Sequence, residues 1–446
     1  MNSVEKIESE LDNFNFSDRK RAFLELKALA DQKKILLPDP SPKVNLHFHT
    51  FFSFNAYGYS PLHIIWRARK EGLLMAGSVD FDVLDAMEEF LWGGFEVNLP
   101  VSSGIETRVY LPEFHDRELS SPKEPGVAYF MGNGFTRLPE SETKTGKTLR
   151  YLKETAQKRN RSVLKRVNSY LQPVAIDLEK DVLPLTPSGN PTERHLVMAY
   201  AIKADQIFSD RIEQVKFWSE KLDISPEKVE NFLNHKPDFY DFIRSKLMKH
   251  GGVGYVKPDV GDFPTLEQVT DMILDLGAIP SFSWLDGTRS GEKDPKELLD
   301  FCEAKGIETL FIVPDRNWDL PDQEESHLKL AKLYEIVEEA KRREIPIFVG
   351  TELNKFGQKF VDEFESPALT PLTPYFIRSA WMLWGHIIME KSSKRGYTSE
   401  WAKKTFQDRK VRNRFYYQVG QTVPADRYQL EQIGSLSSEE LIKRWA

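Results

Sequence analysis

Val44-Asn45-Leu46-His47-Phe48-His49-Thr50 follows the proline-rich stretch Pro38-Asp39-Pro40-Ser41-Pro42. An apolar run holding two histidines one residue apart reads as the end of a β-strand. Strand alternation sends His47 and His49 to one face and turns Phe48 the other way, into packing. Two imidazoles on one face can hold a single metal ion, or they can be ordinary polar residues at a strand end. The choice depends on whether the rest of the chain delivers further ligands to the same place.

Working outward, short apolar runs alternate with helical segments. Pro61 opens a helix with proline in its first turn, and Gly72 closes it at the C-terminal cap. His63, within that helix, reads as a surface or interface residue. A second strand over 73–79 ends at Asp80 and Asp82, and a helix follows over 86–91. A third strand, 99–105, delivers Glu106, and a fourth is expected at 127–131. The strand pattern then stops, and 143–255 reads as helices separated by proline-containing loops. After it come a helix at 266–276 capped by Gly277, a strand at 278–284, a helix at 295–305, a strand at 308–313, a helix at 326–343, and a strand at 346–350 that leads to Glu352.

Residues 1–37 read as helical with Ser17 as an N-cap. The expected divisions are an N-terminal arm (1–42), a barrel (43–138 and 256–375), a helical insertion (139–255) and a Trp- and base-rich helical extension (376–446) covering one end of the body. Seven strand-plus-helix units point to a closed parallel barrel, with an open sheet as the alternative. Chemistry in a parallel barrel sits at the C-terminal ends of the strands. That rule gathers His47, His49, Asp80, Glu106, Tyr129, Trp284, Asp315 and Glu352 on one rim, and the two histidines with two carboxylates make a first set of ligands for Zn, Mn or Fe.

Composition narrows the function classes. The 446 residues are 40% hydrophobic and 29% charged, ordinary for a globular protein, and the net charge of −7 argues against nucleic acid as the main partner. Cys302 is the only cysteine, which excludes internal disulfides and cysteine-based zinc sites. The polar, acidic N-terminus shows no signal-peptide pattern, and no stretch approaches the ~20 apolar residues of a membrane span. The expected compartment is the cytoplasm and the expected partner a small-molecule substrate.

Leu46-His47-Phe48-His49-Thr50, then Ser60-Pro61, Gly72-Leu73, Val79-Asp80-Phe81-Asp82 and Gly104-Ile105-Glu106 resemble the PHP (polymerase and histidinol phosphatase) superfamily. Within the insertion, Pro191-Thr192-Glu193-Arg194-His195 resembles a histidine motif of PHP phosphoesterases. The resemblance covers most of 43–360 and implies a distorted seven-stranded (β/α)7 TIM-like barrel with a helical insertion and helical terminal extensions. It also implies three metals, and here the departures matter. Asn55, Phe81, Tyr129 and Trp284 stand where ligands are expected, and Gly350-Thr351-Glu352-Leu353-Asn354 replaces the last motif. The one ligand set left complete is His47, His49, Glu106 and Glu352, so one divalent ion (Zn, Mn or Fe) is expected.

The function this implies is a metal-dependent hydrolase of a small phosphate ester or other anionic substrate. The alternatives are a catalytically silent ligand-binding relative and a metal-dependent enzyme for a sugar-like or cyclic compound. Asp80 and Asp82 are the candidate general bases or supports of a ligand histidine. Arg194 and His195 are candidates for substrate binding, with Arg108 and Arg289 as further cations. Tyr129 and Trp284 would shape the pocket or fill vacated ligand positions. His386 reads as a satisfied core histidine, and His115, His235, His250 and His327 as polar surface residues.

Overall fold

The computed structural model describes residues 3–257 and 260–446. Seven strands, β1 (Ser41–Phe48), β2 (Leu73–Phe81), β3 (Val101–Tyr110), β4 (Val127–Asn133), β5 (Ile279–Trp284), β6 (Thr309–Ile312) and β7 (Ile347–Val349), pair in sequence order. The sheet nearly closes: Phe48 bridges Glu352, and the His49 N–H donates to the Glu352 carbonyl at 2.8 Å. Closure needs a residue without a side chain at position 350. A Cβ on Gly350 would stand 2.5 Å from the His47 amide nitrogen. The result is an α/β TIM-like barrel with helical extensions.

One expectation fails. The sheet is mixed, because β4 runs antiparallel to both β3 and β5. A parallel crossover needs a helix between strands, and the link from β3 to β4 holds only the short turn Pro112–Phe114. The chain therefore doubles back. Tyr129 still reaches the rim, but as a residue near the start of β4, paired with Arg108 near the end of β3.

β4 ends at the opposite mouth of the barrel, where the long insertion begins. Its first helix, Lys144–Tyr170, has 27 residues and spans roughly 40 Å at 1.5 Å per residue, enough to run the height of the barrel. The insertion carries its own hydrophobic cluster, including Val167, Tyr200, Trp218, Phe239 and Ile243, apart from the cluster around the sheet.

Two terminal elements lock the barrel. The N-terminal helix Phe16–Asp31 is capped by Asn15, whose side chain accepts from the Ser17 N–H, so the cap lies two residues before the expected Ser17. Its Arg19 forms a buried ion pair with Glu89. The C-terminal helix Thr373–Ser393 packs under the far mouth, where Ser379 Oγ accepts from the Ile347 N–H at the start of β7. It crosses the helix Arg409–Thr422 closely at Gly385 and Gly420, each approaching the other's backbone. No helix among the described residues is long and apolar enough to cross a membrane.

Candidate metal centre

His47, His49 and Glu106 meet at the rim, all buried, with ligand atoms within 4.8 Å of one another. His47 Nε2 lies 3.5 Å and His49 Nε2 3.3 Å from the same carboxylate oxygen, Glu106 Oε2. None of these three atoms has a hydrogen-bond partner, and His47 Nδ1 has none either. Buried polar atoms are rarely left orphaned, so the cluster asks for something between them. With metal–ligand distances of about 2.0–2.2 Å, the edge of a tetrahedron is roughly 3.3–3.6 Å. The observed separations match that edge, and two imidazoles with a carboxylate are a suitable donor set for a borderline divalent ion.

The packing fixes both rings. Phe81 stacks on His49 with centroids 4.2 Å apart, and the Phe311 ring meets His47 edge-on at 5.0 Å. Burial alone would raise the Glu106 carboxyl, but the two imidazoles outweigh it and hold the group well below the usual carboxylate range.

Asp80 lies directly behind. It is buried and accepts from the Thr50 N–H (2.8 Å), the Thr50 hydroxyl (2.7 Å) and the Ser53 hydroxyl (2.6 Å). Ser53 Oγ in turn sits 3.2 Å from His49 Nδ1. Asp82 accepts from Thr107 Oγ1 at 2.6 Å. Burial raises both aspartyl groups, opposed at Asp80 mainly by Ser53 and His49 and at Asp82 by Arg159 and Thr107.

Glu352 is a nearly buried residue of the same rim, but its carboxylate is outside the three-residue group. It pairs with Arg316 and accepts from Gln358 Nε2 at 3.4 Å. Asp82, Glu352 and Leu353 have φ of 61°, 71° and 56°, a left-handed backbone that costs a non-glycine residue about 1–2 kcal/mol.

In front of the cluster lies a cavity of about 930 Å³ between the rim and the insertion. Phe81, Glu106, Tyr129, Trp284 and Glu352 face it from the barrel; Arg159, Arg194, Arg244 and Lys249 face it from the insertion. Nine lysines and arginines line it against six carboxylates, so an acidic protein has a cationic pocket. Some of this charge is answered within the protein. Glu193 binds Arg244 (2.9 Å) and Lys249 (2.7 Å), Arg108 pairs with Glu124 (2.9 Å), and Arg194 pairs with Asp241 (2.7 Å). Arg159 is less well answered: it donates to the Asp262 carbonyl at 2.9 Å, and Arg108 and Arg159 both stand 4.7 Å from the Phe263 ring. Burial and the neighbouring Arg108 lower the Arg159 guanidinium to about 10.

Of the residues singled out in the sequence, His47, His49 and Glu106 come together, with Asp80 behind them. Glu352, Tyr129, Trp284 and Arg194 border the cavity. His195 is turned away from it. Its Nδ1 accepts from the Thr192 N–H at 3.0 Å, completing the cap of the helix Glu193–Ile207, and burial lowers it to about 3. Arg289 is engaged with Glu118 at 3.7 Å.

No protein-family model matches the chain, and no curated protein matches it in sequence. Among solved structures it is similar to an amidohydrolase from Chromobacterium violaceum with bound sulfate and no metal, at 14% identity over 71% of this chain and 88% of that one, with a TM-score of 0.46. It is also similar to a proposed metal-dependent phosphoesterase from Bifidobacterium adolescentis, at 15% identity over 73% and 94% of the two chains, with a TM-score of 0.45.

Sequence reasoning missed Ser53, Arg159, Arg244, Lys249 and Arg316. A signal existed for Arg159. Cavity-facing positions 151, 154, 155, 158, 159, 162, 163 and 166 fall on one stripe of the first insertion helix, a 3.6-residue period that marks a basic, polar face. Nothing local marks the others.

Proposed function

We propose that this protein is a metal-dependent hydrolase of a small phosphate ester or other anionic compound, a divergent relative of the PHP superfamily with one divalent ion. The observation that carries the reading is the orphaned trio His47, His49 and Glu106 opening onto a cationic cavity. His47, His49 and Glu106 would hold a divalent ion, which when bound would lower the pKa of a water from about 15.7 towards ~7 and so supply a nucleophile near neutral pH. Glu352, which pairs with Arg316 beside the trio, would be the further protein ligand. Asp80 orients His49, and Asp82, which lines a smaller pocket of about 110 Å³, is the candidate base. Arg159 and Arg194 bind the substrate anion, giving charge-assisted hydrogen bonds that a water-filled pocket would not. Tyr129, Phe81 and Trp284 give part of the cavity aromatic walls, which supports a second reading, a substrate with a sugar-like or heterocyclic ring.

The test is elemental analysis of the purified protein after reconstitution with Zn, Mn and Fe, beside His47→Ala and Glu352→Ala variants. The expected result is about one metal per chain in the parent, lost with His47 and weakened with Glu352. No bound metal in the parent would sink the reading. Turnover assays with phosphate monoesters, nucleoside bisphosphates and lactones then separate the ester reading from the cyclic one.

A further inference from the structure

Ser53 sits in the turn after β1, fully buried, between a carboxylate and a ring nitrogen. Its hydroxyl has one proton. Asp80, as a carboxylate, can only accept, so the Ser53 hydroxyl donates to Oδ1 at 2.6 Å, beside the Thr50 N–H on Oδ1 and the Thr50 hydroxyl on Oδ2. Thr50 Oγ1 is itself kept in the donor role by accepting from the Phe52 N–H at 3.1 Å. With its one hydrogen directed to Asp80, Ser53 Oγ can only accept from His49 Nδ1 at 3.2 Å. His49 Nδ1 must therefore carry the hydrogen, and Nε2 keeps its lone pair towards Glu106.

We infer that Ser53 is a positioning residue that holds His49 in the Nδ1–H tautomer, through a carboxylate–hydroxyl–imidazole chain running from Asp80. His47 has no such chain. Neither of its ring nitrogens has a partner, and its position is set by the Phe311 ring and by Asn45, whose Oδ1 accepts from the His47 N–H at 2.9 Å. The centre is thus asymmetric: one imidazole is aligned by the protein in advance, and the other is free to settle its tautomer when an ion arrives. Partners behind a ligand histidine typically change metal affinity by about 10–100-fold.

The inference rests on the metal-centre reading only for affinity; the tautomer is a property of the metal-free chain. The experiment uses full-length protein with ¹⁵N-labelled histidine at about pH 8, where an ordinary imidazole is neutral. The His49 signals are identified by their loss in His49→Gln. The expected spectrum shows His49 protonated at Nδ1 in the parent and in Ser53→Thr, and shifted towards the Nε2–H form in Ser53→Ala. Zinc affinity, read by competition with a chromogenic chelator, should fall about 10–100-fold in Ser53→Ala and recover in Ser53→Thr. An Nε2–H tautomer in the parent overturns the inference, as does a Ser53→Ala protein with unchanged tautomer and affinity. If Ser53→Ala does not fold, the parent spectrum decides alone. A parent with the Nδ1–H tautomer that binds no zinc upholds Ser53 and removes the metal reading.

Discussion

The two mouths of the barrel bury the same residue types and treat them in opposite ways. At the far mouth, His386 and Glu390 lie one helical turn apart under the C-terminal helices. His386 Nδ1 accepts from the Tyr397 N–H at 2.9 Å, its Nε2 lies 3.2 Å from the Gly134 carbonyl, and Glu390 accepts from the Gly396 N–H at 3.1 Å. At the rim, His47, His49 and Glu106 are just as buried, yet the atoms that face one another have no partners. Burial of a histidine beside a glutamate is therefore no mark of function in this fold. What separates the two ends is whether the backbone supplies the missing hydrogen bonds.

The largest way to break that contrast is through pH. Burial lowers His386 to about 4 from an ordinary 6.5, so the unfolded chain takes up this proton more readily than the folded one. The stabilisation from the neutral ring is complete above about pH 6.5 and is lost as pH falls towards 4, a difference of roughly 3 kcal/mol. The urea midpoint of His386→Gln should consequently vary less between pH 6.5 and 4 than that of the parent, while zinc binding at the rim stays unchanged. Parallel pH curves for the two proteins would show that the far mouth does not hold its histidine neutral.

A second contrast lies across the rim itself. The ends of β1, β2 and β3 supply the orphaned trio and its Asp80 support, whereas the insertion supplies cations. Replacing Arg159 by Met keeps an unbranched side chain and removes the guanidinium that stands over Phe263. The expected outcome is a rise in KM for an anionic substrate of about 10–100-fold, the loss of one charged hydrogen bond of ~1.5–3 kcal/mol, with metal content unchanged. A fall in metal content, or an unchanged KM, would mean that the two sides of the cavity do not divide their work in this way.

How much of this was legible follows from what each feature depends on. The strands announced themselves through apolar runs, and His47, His49 and Glu106 through their places at strand ends. The direction of β4 depends on the missing crossover helix, which its own composition cannot reveal. The roles of Ser53 and Arg316 depend on contacts made across the barrel mouth, with Asp80 and with Glu352, and no spacing rule anticipates them. His195 looked like a site residue because of its neighbours in sequence, whereas its ring is taken up by the backbone of Thr192.

Trp284 tests the smallest difference between the two sides. It is 2% exposed, borders the cavity at the end of β5, and its indole N–H has no partner. A Cβ on Gly287 would stand 2.9 Å from its outer ring, so the turn after β5 holds the indole closely and limits its rotation. If the N–H serves a substrate acceptor, Trp284→Phe keeps an aromatic wall and removes one neutral hydrogen bond, about 0.5–1.5 kcal/mol, or a roughly 2–10-fold rise in KM. Trp284→Leu, which removes the ring as well, should cost more for a substrate with a ring than for a small acyclic phosphate. Equal effects of the two variants on both substrate types would leave Trp284 as packing alone, and substrate recognition would then rest on the charged side chains of the pocket.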